Sequence, residues 1–382
     1  MNEQKFVART YASAQEIGKS AWDNCAGQDN PFTLFEFINA LEVSGCAQPQ
    51  TGWAPQHIVI ENADGEVLGI APAYLKSHSQ GEYVFDHAWA DAYARAGGEY
   101  YPKLQLSIPF TPASAPKFLV ADDVKDQVSS LLPNVIASAS IELGCSSAHA
   151  TFLNSDELAL FKQNNWLERN DQQFHWENQN YESFDAFLAD LASRKRKAIK
   201  KERRAIAESD LEIIWKQGDE ITEEDWDAFF EFYQDTGSRK WGSPYLNRTF
   251  FSLIGEAMSD RIVLMFAMRN GKPIAGTLNF VGADTLYGRY WGCTEHVPFL
   301  HFELCYYQAI DFAIKHKLNR VEAGAQGEHK LARGYAPVTT YSAHFFAHAG
   351  FREAIDDYLQ NERKYVEMDH KMLSEHTPFK KG

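Results

Sequence analysis

No stretch of this sequence is apolar for the roughly 18 residues that a membrane helix needs. The opening, MNEQKFVARTYASAQEIGKS, also lacks the apolar core of a secretory leader. Cysteine is scarce: Cys25, Cys46, Cys145, Cys293 and Cys305 are odd in number, scattered and never spaced C-x-x-C. That excludes a disulfide framework and a cysteine zinc site. H-E-x-x-H is absent, and His344 and His348 sit where the pattern reads as a strand entering a turn, so no metal site is expected. G-x-S-x-G, a P-loop and a strand–helix G-x-G-x-x-G are absent too, which counts against hydrolase, kinase and dehydrogenase chemistry. The expectation is a soluble cytoplasmic chain without a membrane span or a tightly bound cofactor.

What is present is a large stock of core-forming residues. The 382 residues are 45% hydrophobic and 14% aromatic, enough for two domains with sizeable cores. The net charge of −15 argues against a general nucleic-acid coat protein. That charge is uneven. Residues 194–204, RKRKAIKKERR, hold eight cations and one acid, so a +7 segment sits on a chain otherwise at −22.

Two stretches read as hairpins, HIVIENADGEVLGIAPAYLKS with Asp64-Gly65 at its tip and RIVLMFAMRNGKPIAGTLNFVG with Asn270-Gly271. Asx-Gly between alternating apolar runs signals a tight turn, because both turn residues need φ > 0. Each is followed by a strand-like run bearing a tryptophan, YVFDHAWADAY (Trp89) and TLYGRYWGCTEH (Trp291), then helix, strand, helix. The order implies a duplicated α/β unit, with domains over 1–178 and 179–382.

Ser183 reads as an N-cap and predicts a helix over 184–207 that carries the basic run. At 100° per residue, Leu188, Ile199 and Ile206 share its buried face. Arg194, Lys197, Lys200, Lys201 and Arg204 fall opposite. A charge run is ordinarily a solvated face. Acids at i±4 are nearly absent here, so self-neutralising pairs do not explain it. The stripe is therefore a candidate polyanion site.

The order of segments in the second half, from SRKRKAIKKERRAI through DWDAFFEFYQDTGSRKW to HFELCYYQAIDFAIKHKLNRVEAGAQG, resembles the Fem-type aminoacyl transferases of peptidoglycan cross-bridge synthesis. The whole chain resembles the FemAB-like predicted N-acyltransferases. The matching motifs are NPFT (residues 30–33), YYPKLQLSIPFTPA (100–113), RYWG (289–292), LHFELCYYQAI (300–310) and EAGAQGEHKLARGYAP (322–337). The resemblance implies two tandem GNAT-like acyltransferase domains, each a mixed sheet flanked by helices. It implies a bacterial N-acyl- or aminoacyltransferase acting on an amine of a cell-wall-type precursor, with acyl-CoA or aminoacyl-tRNA as co-substrate. The alternative is a non-catalytic member that recognises a cell-wall precursor or RNA. The Q/R-x-x-G-x-G/A loop that holds the pyrophosphate of acyl-CoA is missing, which favours the tRNA-borne donor, as does the basic stripe.

N-acyl transfer needs a base for the amine, a polarised carbonyl and an exit for the leaving group. Residues 322–334 carry suitable groups. Glu322, at a strand end, and His329 are the candidate catalytic residues. Gln326, Glu328, Lys330 and Arg333 are candidates for substrate binding, with Arg289, Trp291 and His301 from the preceding strand and helix start. The first half contributes Asp86, Trp89, Tyr101 and Lys103. For all of these the ordinary alternatives are a salt-bridged helix start and an aromatic core.

Overall fold

The computed structural model describes residues 6–240, 244–324 and 327–380, the side chains of 237–240 and 328 excepted. Two compact units result, residues 1–171 with 339–368 and residues 172–338 with 369–382. The join thus falls at 171/172 where the sequence suggests 178/179, and the second unit is not contiguous. The cause is apolar. Phe346, Ile355 and Leu359 bury themselves with Trp89, Tyr100 and Leu167 of the first unit.

In the first unit the strands are β1 (Val7–Tyr11), β2 (Trp53–Pro55), β3 (His57–Glu61), β4 (Val67–Ala71), β5 (Tyr74–Lys76), β6 (Lys103–Leu106), β7 (Leu119–Val120), β8 (Ser147–Leu153) and the start of β9 (Leu167–Glu177). One antiparallel sheet has the order β1-β3-β4-β7. In the other, β2, β5 and β6 pair antiparallel and β6 runs parallel to β8. The second unit opens its sheet with a meander, β10 (Leu211–Gln217), β11 (Ile262–Arg269), β12 (Lys272–Val281) and β13 (Thr285–Cys293). There β13 runs parallel to β14 (Arg320–Glu322), whose far edge pairs with the end of β9. The last strand, β15 (Ala336–Phe346), lies antiparallel to β8. Both units therefore carry a hairpin-led sheet, a helix and a parallel strand pair.

The run IVLMFA is buried throughout because β11 is covered on both faces. Val263, Met265 and Ala267 pack with Ile310 and Phe312 of one helix layer. Phe266 lies on the other face, toward Phe229, beside the Cβ-less Gly276.

Three local expectations are corrected. The second hairpin has the expected tight turn, with Asn270 at φ 51° and Gly271 at φ 76°. At the first only Gly65 is left-handed, because the Asn62 side chain accepts from the N–H groups of Asp64 and Glu66 and builds a wider loop. YVFDHAWADAY is not a strand: His87–Arg95 is a helix that turns Trp89 inward. The helix expected over 184–207 is two helices, Phe184–Asp190 and Ser193–Ala207. Between them Leu191 is extended, wholly buried and bridged to Phe379, and the Ala192 N–H donates to Pro378 O at 2.8 Å. Among the described residues no helix is long and apolar enough to cross a membrane. Nor, among them, is any group of three His, Cys, Asp or Glu placed to hold a metal.

Candidate active site

The second unit's sheet divides at one place. β13 and β14 pair through Thr285–Arg320, Leu286–Val321 and Tyr287–Glu322. β14 stops there and β13 continues to Cys293. Past Tyr287, one side of β13 thus has no ladder partner in β14, and the register against β12 shifts between Gly288 and Tyr290, a bulge at Arg289. Glu322 sits in this fork, 4% exposed. Its carboxylate lies 3.9 Å from His175 Nε2 on β9 and 4.0 Å from an Arg320 guanidinium nitrogen. Burial, helped by Arg320 and Lys330, pushes His175 down to about 3. His175 is therefore neutral at pH 7, and the positive charge beside Glu322 is that of Arg320 and not of the imidazole.

Glycines set the loop that follows. Gly324 (φ 78°) and Gly327 (φ 122°) turn the chain, and a Cβ on Gly327 would meet the His329 ring at 2.6 Å. The predicted short helix is a 3₁₀ helix, Glu328–Arg333, closed by Gly334 at φ 93°. It buries Lys330, whose Nζ donates back to Gly324 O at 2.8 Å. Burial pushes the Lys330 ammonium down to about 8; Cys305 opposes that shift and the Arg289 charge adds to it. Lys330 and Arg289 thus feel one another, and Lys330 is still mostly protonated at pH 7.

His329, His301, Trp291 and Tyr306 are brought into one aromatic cluster. His329 Nε2 hydrogen-bonds the Tyr306 hydroxyl at 2.8 Å, and its ring lies 6.2 Å from that of His301. His301 packs edge-on to Trp291 at 5.3 Å. A π-helical turn over Glu303–Tyr307 presents Tyr306 to His329 and Tyr307 to Glu202. Such turns concentrate at functional sites, yet HFELCYYQAI contains no breaker that announces one.

Arg333 is committed locally. It bonds both oxygens of Glu202 at 3.1 Å, donates to His329 O at 2.8 Å and covers the Phe302 ring at 3.4 Å. Glu202, the lone acid of the basic run, was the informative residue there, and sequence reasoning passed over it. Arg203 likewise pairs with Glu303 (3.1 Å) and Asp311 (2.7 Å) and so docks the basic helix. Arg194, Lys197, Lys200, Lys201 and Arg204 are all exposed, and Lys200 pairs with Asp185 at 3.0 Å. Gln326 lies outside the described residues, as does the side chain of Glu328.

The first unit's candidates form a separate buried network. Lys103 Nζ donates to Ser79 Oγ (2.8 Å), Glu82 Oε2 (2.7 Å) and Asp86 Oδ2 (2.5 Å). Asp86 also accepts from the Tyr100 hydroxyl at 2.7 Å, and Tyr101 reaches Ser79 at 2.8 Å. Tyr100 continues to His149, which meets His344 at 2.7 Å. Trp89 packs edge-on to His344 at 4.9 Å. Lys103 has no exposed surface, so its charge serves Glu82 and Asp86. Burial raises Asp86, but Lys103 outweighs it and holds the carboxyl well below the usual range. Glu82 is pushed up to about 7 by burial against the pull of Lys103. Lys76, Glu82, His149 and His344 were not legible as partners, because they lie on separate strands and loops.

Comparison with known proteins follows the same lines. The FemAB-like family, described as peptidoglycan biosynthesis/recognition, matches residues 13–381. A crystal structure of FemX is similar at 12% identity and TM-score 0.54, over 92% of this chain and 100% of that one. The C-terminal domain of a putative lysylphosphatidylglycerol synthetase from Agrobacterium fabrum is similar at 10% identity and TM-score 0.55, over 91% and 97%. L-PGS from Bacillus licheniformis is similar at 9% identity and TM-score 0.50, over 85% and 94%. At these identities the likenesses show the fold alone, the mixed α/β architecture described above. No curated protein matches the chain.

Proposed function

The chain belongs to the FemAB-like family, and from that membership we propose that it is an N-acyl- or aminoacyltransferase acting on an amine of a peptidoglycan-type peptide in the cytoplasm. The observation that carries the reading is the fork between β13 and β14 with Glu322 buried in it. The fork sets the edge of β13 that β14 leaves beside a buried carboxylate, the two kinds of group that a developing oxyanion and an attacking amine require. The amine nitrogen attacks the acyl carbon, and Glu322 takes the amine proton directly or through one water. The N–H groups of β13 past Tyr287, with the Lys330 ammonium, hold the developing oxyanion. As the amide bond forms, the bond to the leaving oxygen or sulfur breaks, and that atom receives the proton. His329, hydrogen-bonded to Tyr306, is the second candidate for this proton transfer.

Aminoacyl-tRNA and acyl-CoA are the two candidate donors. Exposed cations on the basic helix support the polyanionic one, as contacts to phosphates along the stripe. The test is product mass spectrometry. The full chain is incubated with a soluble peptidoglycan pentapeptide and either mixed aminoacyl-tRNAs or a panel of acyl-CoAs. A mass gain on the peptide amine from one donor class supports the reading and names the donor. Peptide binding without transfer from either class would sink it in favour of a recognition protein.

A further inference from the structure

A pocket of about 240 Å³ opens beside the first turns of the basic helix, on the second unit. Arg194, Lys195, Glu202, Tyr307 and Arg333 line it, over an apolar floor that includes the buried Ile199. Around Ser193–Ala207 this wall lies roughly 140° from the stripe of Lys197, Lys200, Lys201 and Arg204, at 100° per residue. Apart from Arg194, which also borders the stripe, pocket and stripe are therefore different faces of one helix.

Three features give the pocket a preference for anions. Three cations line it against one carboxylate, and Glu202 is already engaged by Arg333 and the Tyr307 hydroxyl. Ser193–Ala207 begins without a side-chain cap at Ala192 and with no acid in its first turn, so its N–H groups and positive dipole end are unopposed. The Arg333 guanidinium, 9% exposed, is held at the pocket wall by Glu202 and His329 O, so its charge is fixed there. Size limits the occupant. Pockets for drug-sized ligands run to roughly 300–1,000 Å³, so this one holds an end group and not a whole nucleotide.

We propose that this pocket binds one compact oxyanion, a phosphate or a carboxylate, at the end of a larger ligand. The inference stands apart from the transferase reading and needs no chemistry at the fork.

The test uses the full chain at low salt and calorimetric titration with inorganic phosphate, methyl phosphate and acetate. The expected result is saturable one-site binding. Tighter methyl phosphate than acetate identifies a phosphate end group, and the reverse identifies a carboxylate. Replacing Arg194 and Lys195 together by Gln should weaken binding about tenfold or more, since hydrogen bonds to charged groups each contribute about that factor. A198F, an exposed change at the pocket wall, should block binding without altering charge. K197Q with K201Q, on the other face, should change the Kd less than twofold. Absence of saturable binding for all three probes overturns the proposal. So does equal loss in the K197Q/K201Q variant, which would mean a diffuse field, or an unchanged Kd in A198F. Thermal midpoints of the variants separate lost binding from lost fold.

Discussion

Replacing Lys103 by Met removes the one cation that contacts both Glu82 and Asp86 at hydrogen-bond distance. In the native chain its ammonium is wholly buried, and the two carboxylates are 1% and 4% exposed. Among the described residues Lys76 is the other cation paired with Glu82, at 3.8 Å, and it is itself pushed down to about 7 by burial. Breaking a buried pair from one side costs about 3–5 kcal/mol, because the stranded charges stay in low dielectric. At about 2–4 °C per kcal/mol for a unit of this size, the melting temperature should fall by roughly 6–20 °C. The loss should also depend on pH. Glu82 already titrates in the fold near 7 instead of 4.5, so the native state holds extra proton between those values and loses stability as pH rises through them. Without Lys103 the downward pull on both carboxyls disappears, so the deficit is smaller near pH 5, where they protonate, and complete by pH 8. Thermal unfolding at both pH values checks this, and adding Glu82→Gln and Asp86→Asn should recover part of the loss. An unchanged melting temperature with weakened ligand binding would refute the structural reading and make Lys103 a substrate contact.

Gly292→Ala should destabilise the second unit by about 1–3 kcal/mol or more, because the new Cβ would lie 2.0 Å from the Phe232 carbonyl oxygen of a packed helix; an unshifted urea midpoint would contradict that packing. Changing Lys197, Lys200, Lys201 and Arg204 to Gln should flatten the salt dependence of tRNA binding by roughly two to four log units per log unit of salt, if three or four phosphates are contacted. Stability should barely move, since the one surface ion pair lost is worth about 0–1 kcal/mol, and an unchanged slope would reduce the stripe to a solvated face. Lys330 has its folded value lowered from 10.5 to about 8, so the unfolded chain binds more protons between those values. Wild type should therefore gain stability relative to Lys330→Met as pH rises from 8 to 10, and parallel pH profiles would show that Lys330 is not buried as described.

Where periodicity and turn chemistry act locally, the sequence was readable. The Asn270-Gly271 hairpin, the buried IVLMFA strand and the Gly334-closed short helix are each set by a few neighbouring residues. Glu322 at a strand end was readable for the same reason, since RVEAGAQG moves from apolar run to glycine within a few positions. What failed depends on distant partners. The break at Leu191 is dictated by Pro378 and Phe379, which no local pattern connects to it. The helix at His87–Arg95 replaces a strand because Trp89 finds its cover in His344 and Phe346. The basic run looked uniform, yet Glu202 and Arg203 pin it through contacts a hundred residues or more away in sequence. The fork itself needs the register of two strands, which composition does not carry.

The most direct measurement of the central claim is the single-turnover rate of Glu322→Gln with the donor that labels the peptide, set beside its affinity for that peptide. Gln keeps the size and most of the polarity of Glu322 but cannot take a proton. The account predicts a rate lower by about 10²–10⁴, the usual contribution of a general base, with peptide affinity and melting temperature close to wild type. A variant that transfers at the wild-type rate, or one that loses peptide binding in proportion to rate, would contradict Glu322 as the base in the fork.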